Sequence, residues 1–386
     1  MTYIEFFDTQ AVENIGSCLI SAPERVILIG YNKKVLQRHA QRYHDFFLKR
    51  GENIEFLFQS VNRNSLSDIV ELLSDIVEEY EDCVFDLSGG EDLMLVAVGI
   101  VYHRYRDRGI QMHRLNLRSN MLYDCDCDGV VIPIKHLPVL STEEIVSLWG
   151  GKVIYEDERA ATTRCWDWGD EFQEDIRAMW RICRKNVRDW NAQMDTFAFT
   201  DTVSPTRIVD ELLKGGLITA MEQSDTLKVC YKNEQIRKCL TKAGQVLELY
   251  ITLLAMQAED KNGDPVYNDV CTGVFIDWDG GEPDSEEVKT ENEIDVIMMH
   301  GLIPVFVSCK NGNVDMDELY KLNTVAERFG GRYAKKVLIA NALGADSLFT
   351  YHLRQRAKDM KITLIENIQY LSEKEIQAKI EKLWCI

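Results

Sequence analysis

Residues 292 to 312 read NEIDVIMMHGLIPVFVSCKNG, two apolar runs that meet at Gly301. Runs of this length, bounded by polar residues, predict two antiparallel strands joined by a tight turn. Because side chains alternate along a strand, Phe306, Ser308 and Lys310 are expected on one face of the second strand. Polar and charged residues therefore interrupt an otherwise apolar hairpin at defined positions.

The acids of this hairpin are Glu293 and Asp295, which share one face of the first strand. A turn centred on residues 301 and 302 places Asp295 opposite Ser308 and Glu293 opposite Lys310, with about 5 Å between opposed Cβ atoms. A change of one residue in the turn would alter that register. With this turn, the hairpin predicts two carboxylates and one ammonium group at the edge of an apolar sheet.

A third acid, Glu248, lies within the apolar run GQVLELYITLLAMQAE (244–259), which predicts a helix. A carboxylate among apolar neighbours is costly unless it is paired or holds a metal. Carboxylates bind hard divalent cations, and such a cation polarises a phosphoryl oxygen and lowers the pKa of bound water. A lysine beside the cation can orient or deprotonate that water. Glu248, Asp295 and Lys310 thus suit metal-assisted phosphodiester hydrolysis. The alternative is a surface hairpin with a Glu293–Lys310 pair, worth about 0.2–1 kcal/mol.

The helix acid, the strand aspartate and the lysine of the second strand resemble the PD-(D/E)xK, or restriction-endonuclease-like, nuclease core. The resemblance implies Mn²⁺ or Mg²⁺ as the cofactor, with Glu248 and Asp295 at the metal. The family motif ends in Glu-x-Lys, whereas this chain has Ser308-Cys309-Lys310, so the metal-binding glutamate is missing. Either the Cys309 carbonyl, Glu293 and water complete the coordination, or the site is weakened. Glu293 or Glu291 is the expected substitute.

The N-terminal part of the chain alternates strand-like and helix-like segments, which predicts βαβ units and a parallel sheet. Its strands are near-continuous apolar runs, as expected for a sheet that is covered on both faces. The expected strands span 3–7, 25–30, 54–58 and 83–87, and the expected helices span 35–50, 65–80 and 92–105.

The turn Asp86-Leu-Ser-Gly-Gly-Glu91 follows the fourth of these strands and precedes an apolar helix. Two glycines let a ligand approach the backbone, and a helix N-terminus favours anionic groups. Open α/β sheets bind ligands at this end of their strands. The turn is neither G-x-G-x-x-G nor a P-loop. The alternative is a tight turn that needs glycine for its conformation alone.

This turn resembles the Ser/Thr-Gly-Gly segment of CRISPR-associated Rossmann-fold (CARF) sensor domains, which dimerise and bind cyclic oligoadenylates. The resemblance implies a homodimer and a ligand site across its axis. The implied ligand-binding residues are Asp8, Thr9, Gln10, Ser88, Gly89, Gly90, Glu91 and, as weaker candidates, Asn116 and Arg118.

Between these two parts, residues 140–233 are expected to form a small connector. The stretch RIVDELLKGGLI (207–218) predicts a helix that ends at glycine, and a hairpin follows it, which together resemble a winged helix. We therefore predict an α/β chain with a Rossmann-like CARF domain (1–139), a winged-helix-like connector (140–233) and a restriction-endonuclease-like domain (234–386).

Composition sets limits on partners and location. The chain has 386 residues and a formal net charge of −19, which argues against broad binding of a polyanion. Eleven cysteines without a framework spacing suit reduced thiols, and no apolar run reaches the length of a membrane span. These features predict a cytoplasmic protein that is not inserted in a membrane.

The order of sensor, connector and nuclease resembles the ancillary nucleases of type III CRISPR systems. It implies an endonuclease that is activated by cyclic tetraadenylate, depends on a divalent metal and cuts single-stranded DNA or RNA. The alternative is a non-catalytic sensor, whose C-terminal domain lost its chemistry with the missing glutamate and which signals to a partner.

Overall fold

The computed structural model of the chain describes residues 1–117, 119, 121–126, 130–132, 138–154, 165–278, 280, 291–312, 314–341, 343 and 348–385. These residues belong to two compact units, 1–151 and 152–386. Arg118, a candidate ligand residue, lies outside the described residues. The three-part division at 139/140 and 233/234 stays a prediction.

The first unit is built on a sheet in the order β3-β2-β1-β4-β5-β6-β7. The first five strands of the chain pair in parallel, and β6 and β7 are antiparallel. The predicted βαβ units are confirmed. The strands are β1 Thr2–Phe6, β2 Arg25–Gly30, β3 Glu55–Ser60, β4 Cys83–Asp86, β5 Gln111–Asn116, β6 Met121–Asp124 and β7 Val130–Val131, and the helices are α1 Ala11–Ser21, α2 Lys33–Lys49, α3 Leu66–Glu79, α4 Asp92–Arg104 and α5 Thr142–Leu148.

Local sequence explains where these helices begin. Asn32 caps α2 by accepting from the backbone N–H groups of residues 34 and 35, and Ser65 caps α3 by accepting from the backbone N–H of residue 68. Ser141 and Glu144 form a capping box at the start of α5. The central strand β1 is buried along its whole length, so the sheet carries helices on both faces.

The second unit contains a six-stranded sheet in the order β16-β15-β14-β13-β12-β8 and a three-stranded sheet in the order β10-β11-β9. Its strands are β8 Lys152–Ile154, β9 Thr202–Val203, β10 Ile218–Gln223, β11 Thr226–Tyr231, β12 Asp269–Asp277, β13 Glu291–His300, β14 Ile303–Lys310, β15 Lys335–Ala340 and β16 Ile362–Ile365. Its helices are α6 Asp170–Cys183, α7 Val187–Phe197, α8 Arg207–Lys214, α9 Glu234–Leu240, α10 Gln245–Met256, α11 Met316–Gly330, α12 Leu348–Asp359 and α13 Glu373–Ile380.

The predicted helix and hairpin of the connector are present as α8, β10 and β11. They share one hydrophobic core with α10 and the large sheet. At its centre, Trp180 of α6 stacks on Tyr250 of α10 with 5.0 Å between ring centroids. The helical layer thus anchors α10, the helix that carries Glu248.

The hairpin of β13 and β14 has the predicted register. His300 pairs with Ile303, and the ladder continues to Val296 opposite Val307. Gly301 adopts a φ of 60°, as the turn requires. Beyond Val296 the first strand continues alongside β12, so the two strands separate where the acids lie.

Among the described residues, no single helix has both the length and the apolar character needed to cross a membrane. Two helices joined by a sharp bend, Glu234–Leu240 and Gln245–Met256, together have the length and composition of a membrane span, and no other observation supports one.

Candidate functional site

Glu248 lies in the first turn of α10, a helix that is apolar on nearly every side. Its side chain is 5% exposed, and Oε2 accepts a hydrogen bond of 3.2 Å from Nε2 of Gln245. Burial, followed by the negative charge of Asp295, raises the pKa of Glu248 to about 8, while the nearby Lys242 opposes this shift. The structure therefore brings Glu248 within the electrostatic reach of the hairpin.

Asp295 is held where β13 and β14 separate. Its Oδ2 accepts from the backbone N–H of Cys309 at 2.6 Å and from the hydroxyl of Ser308 at 3.2 Å. Burial raises the pKa of Asp295, and the positive charge of Lys310 acts in the opposite direction. Ser308 therefore orients the aspartate, and Cys309 does so through its backbone.

Lys310 ends β14, and its ammonium lies between two carboxylates. The distance from Nζ is 2.8 Å to Oε2 of Glu318 and 3.8 Å to Oδ2 of Asp295. Burial favours the neutral amine, but the two acids outweigh it and raise the pKa of Lys310. The group is therefore an ammonium ion, which can bind phosphate and stabilise negative charge but is a poor base.

Glu293 has a different partner from the one that the surface-hairpin alternative requires. Its Oε1 lies 2.9 Å from Nζ of Lys242, in the segment between α9 and α10. Because the two strands separate beyond Val296, Lys310 forms its ion pair with Glu318 instead of Glu293. The Glu293–Lys310 pair of that alternative is thus absent, and each of the two residues forms an ion pair with another element.

Asp295, Lys310 and Glu293 line an open cavity, whereas Glu248 is not part of its lining. Ser308, Lys310 and Phe306 line it together, as the strand alternation predicts. The complete lining is Asn292, Glu293, Ile294, Asp295, Phe306, Val307, Ser308, Lys310, Glu318, Lys321, Leu322 and Val325.

Sequence reasoning missed Lys242, Glu318 and Lys321, which the structure adds to the site. Glu318 and Lys321 belong to α11, where they occupy one side of an ordinary amphipathic helix. Lys242 lies in a short connection between helices. Each is a charged residue in a polar context, so the sequence gives no signal that separates it from a solvated surface residue.

The donors suit a hard divalent cation. Asp295, Glu293 and Glu318 present carboxylate oxygens to the cavity, and Mg²⁺-type sites use one or two protein carboxylates with water and substrate phosphate. The structure as described holds no group of three or more His, Cys, Asp or Glu side chains arranged to bind a metal. The cation would thus bind through few protein ligands. The roles predicted for Glu291 and the Cys309 carbonyl stay predictions.

In the first unit, the Ser88–Glu91 turn is fixed to three neighbouring strands. The Ser88 hydroxyl accepts from the backbone N–H of Leu115 on β5 at 2.8 Å, and its own N–H donates to Asp86 on β4 at 2.7 Å. A Cβ on Gly90 (φ 98°) would lie 2.7 Å from the Cβ of Phe6 on β1, and one on Gly89 would lie 2.8 Å from the Phe6 carbonyl oxygen. Packing therefore requires both glycines.

The segment after β1 lies against this turn. A Cβ on Gly89 would come 3.3 Å from Cβ of Asp8, and the Asp8 carboxylate accepts from the backbone N–H of Gln10 at 2.8 Å. Thr9 lies between these two residues. Asn116 follows Leu115, the residue that hydrogen-bonds to Ser88. The structure thus brings the predicted ligand residues together at one end of the sheet.

Glu91 closes the turn with a bidentate ion pair that the sequence does not reveal. Nη2 of Arg63 lies 2.7 Å from its Oε1, and Nε lies 3.0 Å from its Oε2. Both side chains are exposed. Arg63 is therefore a cation beside the turn, and its planar group is suited to phosphate.

No protein-family model and no curated protein sequence matches the chain. Solved structures share its fold, including the following three. Protein VC1899 from Vibrio cholerae has a TM-score of 0.77 at 17% identity, covering 99% of this chain and 97% of that one. Can2 from Sulfobacillus thermosulfidooxidans, in complex with cyclic tetra-adenylate, has a TM-score of 0.71 at 16% identity, covering 100% and 99%.

A type III CRISPR defence DNA nuclease activated by cyclic oligoadenylate has a TM-score of 0.51 at 17% identity, covering 89% of this chain and 45% of that one. The predicted α/β fold and the predicted resemblance to type III CRISPR nucleases are confirmed at the level of the fold.

Proposed function

We propose that this chain is a divalent-metal-dependent endonuclease of type III CRISPR defence, activated by cyclic tetraadenylate. It cuts single-stranded DNA, RNA or both. Residues 1–139 bind the activator, residues 234–386 cut the substrate, and residues 140–233 connect them. The observation that carries this proposal is the gathering of Glu248, Asp295 and Lys310 at the place where β13 and β14 separate.

The chain's own residues have distinct tasks in this reaction. Asp295 is oriented by Ser308 and by the backbone N–H of Cys309, so its free oxygen is available to a cation. Glu248, whose pKa is raised to about 8, is mostly protonated near neutral pH; a bound cation would favour its ionised form, which would then add negative charge from the buried side. The Lys310 ammonium binds the scissile phosphate and stabilises the negative charge that develops on it. A bound Mn²⁺ or Mg²⁺ supplies Lewis-acid activation of the phosphate and lowers the pKa of attacking water.

The activator site is the Ser88–Glu91 turn with Asp8, Thr9, Gln10 and Asn116. Gly89 and Gly90 let the turn pack closely on Phe6, which fixes its backbone directly before the N-terminus of α4, where a phosphate is favoured. Arg63 adds a positive charge beside the turn. Can2, which shares this fold, was solved with cyclic tetra-adenylate bound, and this supports a ligand of the same class.

The exposed apolar surface of α4, a helix that begins directly after the turn, supports a homodimer. Leu95, Val96 and Ile100 are 40, 52 and 36% exposed on this helix, and a Cβ on Gly99 would meet no atom within 4 Å. A second copy that covers this apolar face brings two identical turns together across a twofold axis. A cyclic oligoadenylate with an even number of units has matching symmetry.

Single strands are the favoured substrates because of charge. A chain with a net charge of −19 offers little surface that would clamp the phosphates of a duplex. A flexible single strand can instead reach the cavity with a few phosphates and meet Lys310 and Lys321 there.

The test is a cleavage assay with labelled single-stranded DNA and RNA, Mn²⁺, and purified protein with or without cyclic tetraadenylate. We expect cutting that depends on the activator and is lost in Asp295→Asn and Lys310→Ala. Lys379→Ala, which removes a lysine from the exposed side of α13, is the matched control and should cut like the wild type.

Tight activator binding without cutting in any divalent metal would show the protein to be a non-catalytic sensor instead. If the protein neither binds the activator nor cuts nucleic acid, the whole proposal loses its basis, since both sites would then lack their assigned ligands.

A further inference from the structure

Two carboxylates stabilise the positive charge of the Lys310 ammonium. Asp295 reaches it from β13 and Glu318 reaches it from α11, at 3.8 and 2.8 Å. The three side chains come from three different elements and line the same cavity. Such an arrangement is one in which a divalent cation could be bound by the same two acids.

Glu318 is well placed for this task. It lies in the first turn of α11, whose N-cap Asp315 accepts from the Glu318 backbone N–H at 3.1 Å, so the backbone is fixed. Its side chain is 21% exposed, and its second oxygen lies 3.4 Å from Nζ of Lys321. Two lysines thus hold one partly buried carboxylate at the wall of the cavity.

The competing acid is Glu293, which also lines the cavity. Its carboxylate lies 2.9 Å from Nζ of Lys242, whereas Asp295 lies farther from that ammonium and acts on it through its charge alone. Ser308, two residues before Lys310, contributes a hydroxyl that donates to Asp295 and offers no negative charge. Among these residues, only Glu318 lies together with Asp295 within 4 Å of one ammonium group.

We propose that Glu318 is the second carboxylate of the divalent-cation site, with Asp295 as the first and Lys310 as the counter-ion in the metal-free state. This inference rests on the proposed nuclease function and assigns one of its ligands. Glu318 and Asp295 would hold the divalent cation, and Lys310, no longer paired with Glu318, would be free to bind the phosphate of the substrate.

The experiment measures Mn²⁺ binding to the full chain without activator or nucleic acid, by calorimetry and by the electron paramagnetic resonance signal of free Mn²⁺. We expect Glu318→Gln to weaken binding about tenfold or more. Glu318→Asp, which keeps the charge, should restore part of the affinity. Glu327→Gln removes one charge from the same helix at an exposed position, and it should leave the affinity nearly unchanged.

A double-mutant cycle separates a metal ligand from a residue that only holds Lys310. Lys310→Met removes the competing cation, so we expect it to tighten Mn²⁺ binding. That gain should vanish in Lys310→Met with Glu318→Gln, because the carboxylate that causes it is gone. If Glu318 only positions Lys310, Glu318→Gln will have no effect on metal affinity in the Lys310→Met background, and the inference is wrong.

The remaining outcomes are equally decisive. Three outcomes would each overturn the assignment of Glu318. Glu318→Gln could bind Mn²⁺ with wild-type affinity, Glu293→Gln could be the only variant that loses affinity, or the wild type could bind no Mn²⁺. Mn²⁺ binding that depends on Glu318, in a protein that cuts no nucleic acid, supports this inference and refutes the proposed function. If the wild type cuts nucleic acid and Glu318→Gln binds Mn²⁺ as well as the wild type does, the proposed function is supported and this inference is refuted. A thermal melt of each variant confirms that it is folded.

Discussion

Replacing Gly90 by alanine tests why the turn after β4 carries two glycines. Gly90 has a φ of 98°, and a Cβ there would lie 2.7 Å from Cβ of Phe6. Phe6 is fully buried in the central strand β1, which is paired on both sides, so it cannot move away at low cost. Positive φ costs a non-glycine residue about 1–2 kcal/mol, and overpacking costs about 1–3 kcal/mol. We expect Gly90→Ala to destabilise the first unit by about 3 kcal/mol.

Two other glycines separate these two contributions. Gly51 has a φ of 80° and open space around its Cβ position, so Gly51→Ala reports the conformational cost alone. Gly89 has no positive φ, but its Cβ would lie 2.8 Å from the Phe6 carbonyl oxygen, so Gly89→Ala reports the steric cost alone. The cost of Gly90→Ala should be close to the sum of the other two.

The measurement is thermal unfolding followed by circular dichroism and calorimetry. At about 2–4 °C per kcal/mol for a unit of this size, Gly90→Ala should lower the melting temperature by roughly 10 °C and Gly51→Ala by roughly 3 °C. If Gly90→Ala is no more harmful than Gly51→Ala, the contact with Phe6 is easily relieved. The glycine would then serve backbone conformation only.

Three further predictions concern the first unit. Ser88→Ala removes the acceptor of the buried Leu115 N–H, so we expect a loss of about 1–3 kcal/mol in denaturant unfolding; no loss would mean that water replaces the hydroxyl. Glu5 and Asp86 pair in neighbouring strands, and burial, followed by the charge of Asp86, raises the pKa of Glu5. The folded state thus binds this proton more tightly than the unfolded state, and stability falls as the pH rises above about 4.3, the ordinary value. Glu5→Gln should flatten the decline in melting temperature between about pH 5 and pH 8, and an unchanged slope would contradict the shift. Val96→Glu places a charge on the exposed face of α4, so light scattering should detect monomers of normal melting temperature; an intact dimer would exclude this face as the interface.

Local pattern was sufficient for most of the secondary structure. Continuous apolar runs predicted the first four strands of the N-terminal sheet and the hairpin of β13 and β14. Turn chemistry at Gly301 was enough to set the hairpin register. These features depend on contacts between residues that are close in sequence, so the sequence carries their signal directly.

The charged partners of the site could not be predicted in this way. The sequence places Asp295 beside Ser308, but it does not show that Glu293 binds Lys242 or that Lys310 binds Glu318. Those pairs join different elements, and exposed-looking lysines and glutamates fit every polar face equally well. Their choice depends on where β13 and β14 separate and on how α11 crosses the sheet.

By itself, the sequence determined the α/β elements, the hairpin register and the acids and lysine that belong to one candidate site. Tertiary structure alone decided which opposite charges meet, that Ser88 is engaged with Leu115, and that Phe6 leaves no room for a side chain at residues 89 and 90. The physical reason is that strand and helix periodicity is written in neighbouring residues. Ion pairs and steric contacts between distant segments exist only after the chain has packed.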